Sequence, residues 1–154
     1  MRLLIFGNSG SGKTTLARQL ASEEGAAHLD LDVFAWDPGP VRRPIEASRA
    51  EIAAFIQANT DWVIEGCYGD LIEIAIPFST EIRFLNPGVE RCVANCLRRP
   101  WEPAKYASPE AQNEMLAYLL EWVRAYETRD DEFSLTRHRA IFEAYKGPKT
   151  EISS

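Results

Sequence analysis

Residues Gly7, Asn8, Ser9, Gly10, Ser11, Gly12, Lys13 and Thr14 satisfy the pattern G-x-x-x-x-G-K-[ST] at every position. Glycines reach backbone conformations that side chains forbid, so consecutive N–H groups in such a loop can turn inward around one phosphate. A helix that starts at Lys13 adds the positive end of its dipole at the same place. Lys13 then meets the β- and γ-phosphates of a nucleoside triphosphate, and the Thr14 hydroxyl ligates Mg²⁺. Thr15 closes the phosphate-binding run.

Phosphoryl transfer also needs carboxylates and further cations. Asp30 and Asp32 alternate with Leu29 and Leu31, which places both carboxylates on one side of a strand. Like charges this close favour a metal or a hydrogen-bonded substrate between them. Asp30 is therefore assigned to the Mg²⁺ shell, and Asp32 to an acceptor hydroxyl as base or anchor. Glu65 ends an apolar run and suits the acid that holds a Mg²⁺-bound water. The competing reading of the Asp pair is a solvated turn with a helix cap. Arg98 and Arg99 stand at the start of an irregular arm that can carry a guanidinium to the transferring phosphoryl; their plainer role is to close a helix end. Arg91 is a further candidate near the base or phosphates. Arg42, Arg43 and Arg49 border the acceptor side or are ordinary surface charge. His138 is expected at an exposed or core-edge position. Trp36 and Trp62 are expected in core or rim packing, with Trp36 the better suited of the two to stack against a substrate.

The elements that must position these groups follow from pattern. Leu3-Leu4-Ile5-Phe6 reads as a buried parallel strand, and Leu16 and Leu20 mark one face of the helix after the loop. A second strand is expected over 28–33, a helix from Pro44 to Asn59, and a third strand over 62–66. A short helix over 70–76, a fourth strand over 81–85 and a helix from Gly88 to Leu97 follow. Ser108-Pro109-Glu110 opens a helix to about Thr128, with a capping hydroxyl, a proline and an acid in order. The last helix is predicted over 135–146 and a fifth strand over 150–152. Strands alternating with helices make a parallel sheet covered on both faces, with ligands beyond the carboxyl ends of its strands.

The chain has 154 residues, 45% hydrophobic and 26% charged, with a net charge of −6. That is one domain's worth of ordinary globular sequence, with no general electrostatic case for nucleic acid. No apolar run approaches a membrane span. Cys67, Cys92 and Cys96 are an odd and sparse set, and no second pair completes a metal site with Cys92 and Cys96. Met1 leads directly into the first strand, so the expected location is the cytoplasm.

The phosphate loop at 7–14, Asp30-Leu31-Asp32 with Trp36 following, Trp62-Val63-Ile64-Glu65-Gly66 and Arg98-Arg99-Pro100 together give a resemblance over nearly the whole chain. The chain resembles the small P-loop kinases of the adenylate kinase and shikimate kinase superfamily, in particular short bacterial topology-modulation-protein-like members. The resemblance implies a three-layer α/β/α fold with a five-stranded parallel sheet in the order 2-3-1-4-5 and a short lid at about 98–110, within one domain over 1–154. It implies that an Asp-x-Asp here serves Mg²⁺ and the substrate hydroxyl, and that the arginines at 98 and 99 begin the lid.

The resulting expectation is an ATP- and Mg²⁺-dependent kinase acting on a small hydroxylated metabolite or nucleotide, as a monomer or homodimer. Two alternatives stand beside it: a nucleotide-binding switch or hydrolase, and a degenerate kinase that binds ATP without transfer. The acceptor and the choice of ATP over GTP are not encoded in any local pattern.

Overall fold

The computed structural model describes residues 1–38 and 41–153. In chain order the elements are β1 (Arg2–Gly7), α1 (Lys13–Glu24), β2 (Ala27–Asp30), α2 (Asp32–Ala35), β3 (Trp36–Asp37), β4 (Val41–Arg42) and α3 (Ile45–Ala58). They continue with β5 (Trp62–Gly66), α4 (Gly69–Ala75), β6 (Glu81–Leu85), α5 (Val89–Leu97), α6 (Pro109–Arg124), α7 (Leu135–Ala144) and β7 (Lys149–Ile152). Short 3₁₀ turns extend α4 over Ile76–Phe78 and α6 over Ala125–Glu127. The run Trp36-Asp37-Pro38-Gly39-Pro40 is rich in turn residues and predicts a turn, of which Gly39 and Pro40 lie outside the described residues.

Leu3, Leu4, Ile5 and Phe6 carry no polar side-chain atom, and all four are fully buried. A run like this needs strands on both edges and helices on both faces. The sheet supplies them: its order is β2-β5-β1-β6-β7, and every neighbouring pair is parallel. Leaving out the two-residue antiparallel ribbon β3–β4, this is the expected 2-3-1-4-5. Strand alternation sorts the side chains. Leu4 and Phe6 join Ile52 and Ile56 of α3, Leu71 and Ile72 of α4 and Ile141 of α7. Leu3 and Ile5 join Ala17 and Ala21 of α1 on the opposite face. The result is three layers. Burying four such side chains contributes roughly 6–12 kcal/mol before chain entropy is counted.

Caps define the helix starts. The Ser108 hydroxyl accepts from the Ala111 amide at 3.1 Å, with Pro109 next, as expected. Ser134 does the same for α7, accepting from the Arg137 amide at 3.1 Å. Two expectations need correction. The second strand stops at Asp30, because the Asp30 carboxylate accepts the Asp32 amide at 2.9 Å and turns the chain into α2. A side chain that bonds its own backbone competes with the sheet ladder, and here it wins. Asp30 and Asp32 thus occupy a strand end and a helix start rather than one strand face.

His138 is not at the core edge but completely buried. Its Nε2 donates to the Cys67 carbonyl at 2.8 Å, so its Nδ1 accepts the Tyr126 hydroxyl at 2.7 Å. Phe6 and Phe84 pack against the ring edge-on. Burial holds the imidazole neutral, down to about 4 from 6.5. The unfolded chain binds the extra proton between those values, so stability is full above pH 6.5 and falls as pH drops toward about 4. The loss attributable to this residue is on the order of 3 kcal/mol. Urea unfolding across that window should show a steeper decline for the native chain than for His138→Gln. Parallel declines would remove His138 as the cause.

Candidate active site

The connection from β1 to α1 rests on α5 at Gly10, and two glycines take its left-handed turns. Gly10 has φ +81° and Gly12 φ +97°, the left-handed region. A Cβ on Gly10 would sit 2.4 Å from the Cys92 carbonyl oxygen and 2.8 Å from Cys96 Sγ. Cys92 and Cys96 are therefore the floor of the loop. Among the described residues no three His, Cys, Asp or Glu side chains gather in metal-binding geometry. Burial raises the Cys92 thiol to about 11, which makes it inert packing.

Neighbouring helices hold the loop. Asn95 of α5 donates to the Gly10 carbonyl at 2.8 Å, and Asn8 donates to the Val123 carbonyl of α6 at 3.2 Å. Lys13 is buried, with Nζ 2.7 Å from the Asn8 carbonyl. No side chain caps α1, and its first turn holds no acid. Its leading N–H groups thus keep their positive potential for an anion. Asn8 Oδ1 and Ser11 Oγ are buried and lack hydrogen-bond partners, as do Arg42 Nε and Trp62 Nε1 away from the loop. Thr15 is exposed at the first turn of α1.

The carboxylates form the other side of the rim. Glu65 at the end of β5 is 2% exposed, and it accepts the Thr14 hydroxyl at 3.0 Å. His28 Nε2 lies 2.9 Å from its second oxygen. Asp30 pairs in register with Glu65 across β2 and β5. Burial raises the Asp30 carboxyl above its ordinary range, with the charges of Asp32 and Glu65 adding to the shift. Asp32 goes the other way: burial alone would raise it, but the charge and hydrogen bond of Lys105 and the bond from Tyr68 hold it down. Lys105 Nζ is 2.7 Å from Asp32 Oδ2 and 3.5 Å from Asp30. The Tyr68 hydroxyl donates to Asp32 Oδ1 and accepts Trp36 Nε1 at 2.9 Å. Asp32 is thus ionised and fixed at both oxygens. Thr14 is bonded to Glu65, Asp30 stands in register with Glu65, and Asp32 follows at the start of α2.

His28, Tyr68 and Lys105 were not among the expected site residues. His28 had a signal, since it sits two residues before Asp30 on the same strand face. The partners of Tyr68 and Lys105 lie 36 and 73 residues away, beyond any local pattern.

The arginines separate into two groups. Arg42 pairs with Asp70 at 3.0 Å and lies over the Tyr68 ring at 5.0 Å. Arg43 is bound by Asp37 and Glu51, and Arg49 by Glu46. These three are neutralised within the fold. Arg98 and Arg99 end α5, and Arg98 folds back onto the Ala94 carbonyl and the Asn95 side chain, both at 3.4 Å. Neither is among the groups bonded to Asp30, Asp32 or Glu65. Arg91 lines an open cleft of about 270 Å³ with Ser11, Leu16, Leu85, Pro87 and Asn95. That cleft adjoins the loop at Ser11, and Asp32 and Lys105 are not among its lining residues.

Neither a known protein-family model nor the sequence of any curated protein matches this chain. Solved structures match it in fold. A deoxyadenosine kinase from M. mycoides with bound dATP superposes with TM-score 0.52 at 12% identity, covering 99% of this chain and 91% of that one. A shikimate kinase from Bacteroides thetaiotaomicron gives 0.51 at 16% identity over 93% and 97%. A sugar kinase from Janibacter gives 0.50 at 17% identity over 92% and 91%. The chain has the three-layer fold of the P-loop kinases. No helix among the described residues is long and apolar enough to cross a membrane.

The two loop glycines differ in a measurable way. Gly12 has only Leu85 at 4.0 Å near its absent Cβ, so Gly12→Ala meets backbone strain alone, about 1–2 kcal/mol. Gly10→Ala adds the clash with α5 and should cost about 3 kcal/mol or more. Denaturant titration of the two variants checks the order; equal losses would mean that the loop does not rest on α5.

Proposed function

We propose that this chain is an ATP-dependent phosphotransferase that moves the γ-phosphoryl of Mg-ATP to a hydroxyl of a small metabolite or nucleotide. The observation that carries the reading is the junction of two features at one rim. An uncapped helix start carries a buried lysine and unpartnered polar atoms, and beside it stands an ionised, doubly anchored carboxylate. The first suits a polyphosphate and the second suits an acceptor hydroxyl.

The amides of residues 8–15 and Lys13 would hold the β- and γ-phosphates, and the cleft beside Arg91 would take the base. The Thr14 hydroxyl with Asp30 and Glu65 fits a Mg²⁺ ion, since these are hard oxygen donors already gathered at the loop. Bound there, Mg²⁺ would supply neutralisation of phosphate charge. Asp32 orients the acceptor hydroxyl and takes its proton as the oxygen bonds to the γ-phosphorus. The bond to the bridging oxygen breaks and ADP leaves. Arg98 and Arg99 belong to the arm at about 98–110, whose closure would bring positive charge over the transferring group and exclude water. The whole of 1–154 works as one domain in this reading, in the cytoplasm, as monomer or homodimer. The fold shared with sugar, shikimate and deoxyadenosine kinases supports transfer to a small molecule or nucleotide over a switch function.

A coupled ADP-release assay tests this across sugars, shikimate, deoxynucleosides and nucleoside monophosphates. At least one acceptor should raise turnover above acceptor-free hydrolysis. Lys13→Met should abolish Mg-ATP association in calorimetry. Asp32→Asn should keep that association while transfer drops by about 10²–10⁴-fold. A panel with no active acceptor, or an Asp32→Asn variant of unaltered rate, sinks the proposal.

A further inference from the structure

Between α5 and α6 the chain crosses the rim as an arm without regular structure, and most of its polar contacts are internal. The Lys105 and Tyr106 amides both donate to the Glu102 carbonyl at 3.0 Å, and Trp101 Nε1 donates to the Tyr106 carbonyl at 3.1 Å. Gln112 of α6 accepts the Glu102 amide at 2.8 Å and donates to the Pro100 carbonyl at 3.1 Å. These bonds make the arm one piece with the start of α6. They do not bind it to the sheet.

Among the described residues, Lys105 alone joins the arm by polar contact to Asp32 at the start of α2, at 2.7 Å, and to Asp30 at the end of β2, at 3.5 Å. Tyr68 holds the other Asp32 oxygen from the opposite side. The expected arm cations, Arg98 and Arg99, make no bond to Asp30 or Asp32; Arg98 instead contacts the Ala94 carbonyl and the Asn95 side chain. We propose that Lys105 is a positioning residue: its ammonium fixes the Asp32 carboxylate and ties the arm across the rim. A carboxylate bound on one oxygen by a phenol and on the other by an ammonium keeps one orientation, and that order is in place before an acceptor arrives. The same bond makes arm closure depend on the acceptor-side carboxylate. An acceptor that engages Asp32 therefore meets the arm as well. The importance of Asp32 rests on the kinase reading, but the tether belongs to the chain without any ligand.

Amide hydrogen exchange on the ligand-free protein tests it. The probes are the amides at positions 105 and 106, bonded within the arm to the Glu102 carbonyl, and the amide at 102, bonded to Gln112 of α6. Lys105 and Asp32 are each about one-third exposed, so solvent screens the pair and the effect is a few-fold. Lys105→Met and Asp32→Asn should each speed exchange at those amides by about three- to fivefold, with β1 and β5 amides unchanged. Lys105→Arg should restore it to within about twofold, and the Lys105→Met/Asp32→Asn double variant should exceed neither single change. Unaltered arm exchange in either single variant, additive effects in the double, or an equal rise in the sheet would overturn the proposal. No nucleotide enters this measurement, so a failed search for an acceptor leaves its outcome untouched, and the converse also holds.

Discussion

The strand at the centre of the sheet has no exposed face and no exposed edge, and the rest of the molecule follows from that constraint. Leu3 to Phe6 are buried from every direction, so no side chain of β1 can take part in chemistry until the chain leaves the sheet at Gly7. Everything polar is displaced to the carboxyl ends, where the last ladder bonds run out and backbone N–H groups fall free. β2 and β5 end at the same level with Asp30 and Glu65 in register. The rim is the first place where charge can be solvated or paired, so loop, carboxylates and arm meet there.

Charge at that rim is unevenly shared. Asp30, Asp32 and Glu65 lie together, with Lys105 against the first two and Lys13 near enough to lower Asp32. Lys105 lies nearer Asp32, and the carboxylates diverge accordingly, with Asp30 raised and Asp32 lowered. Two residues of one short motif thus acquire opposite character from their surroundings. The aromatic wall behind Asp32 belongs to the same arrangement. Trp36 bonds the Tyr68 hydroxyl, and Phe133 packs edge-on against the Tyr68 ring.

Much of the fold was legible because local signals and tertiary demands agreed. Trp62–Gly66 and Glu81–Leu85 form with the expected ends, being apolar runs bounded by turn residues. α5 begins after Gly88, and Ser108 caps α6. The glycine loop was legible as a motif, and it leads into a helix start with no side-chain cap. The Asp pair was legible in composition but not in backbone path, since one side-chain bond from Asp30 to the Asp32 amide turned an expected strand into a helix start. His138 could have been placed: Ser134, Ile141 and Phe142 sit at helical spacing around it, with Ser134 and Ile141 buried and Phe142 packed against the core. Lys105 could not. Its position depends on an irregular segment folding back over a distant strand end, and no periodicity records such a contact.

The bonds from Asn95 to Gly10 and from Asn8 to Val123 have a mechanical meaning. They fasten the glycine loop to the two helices between which the arm is strung, and Cys92 and Cys96 leave no gap beneath it. The arm and the loop are consequently not separate parts on a rigid base. Loop, α5, arm and α6 form one closed circuit of contacts, because the arm joins the same two helices that hold the loop.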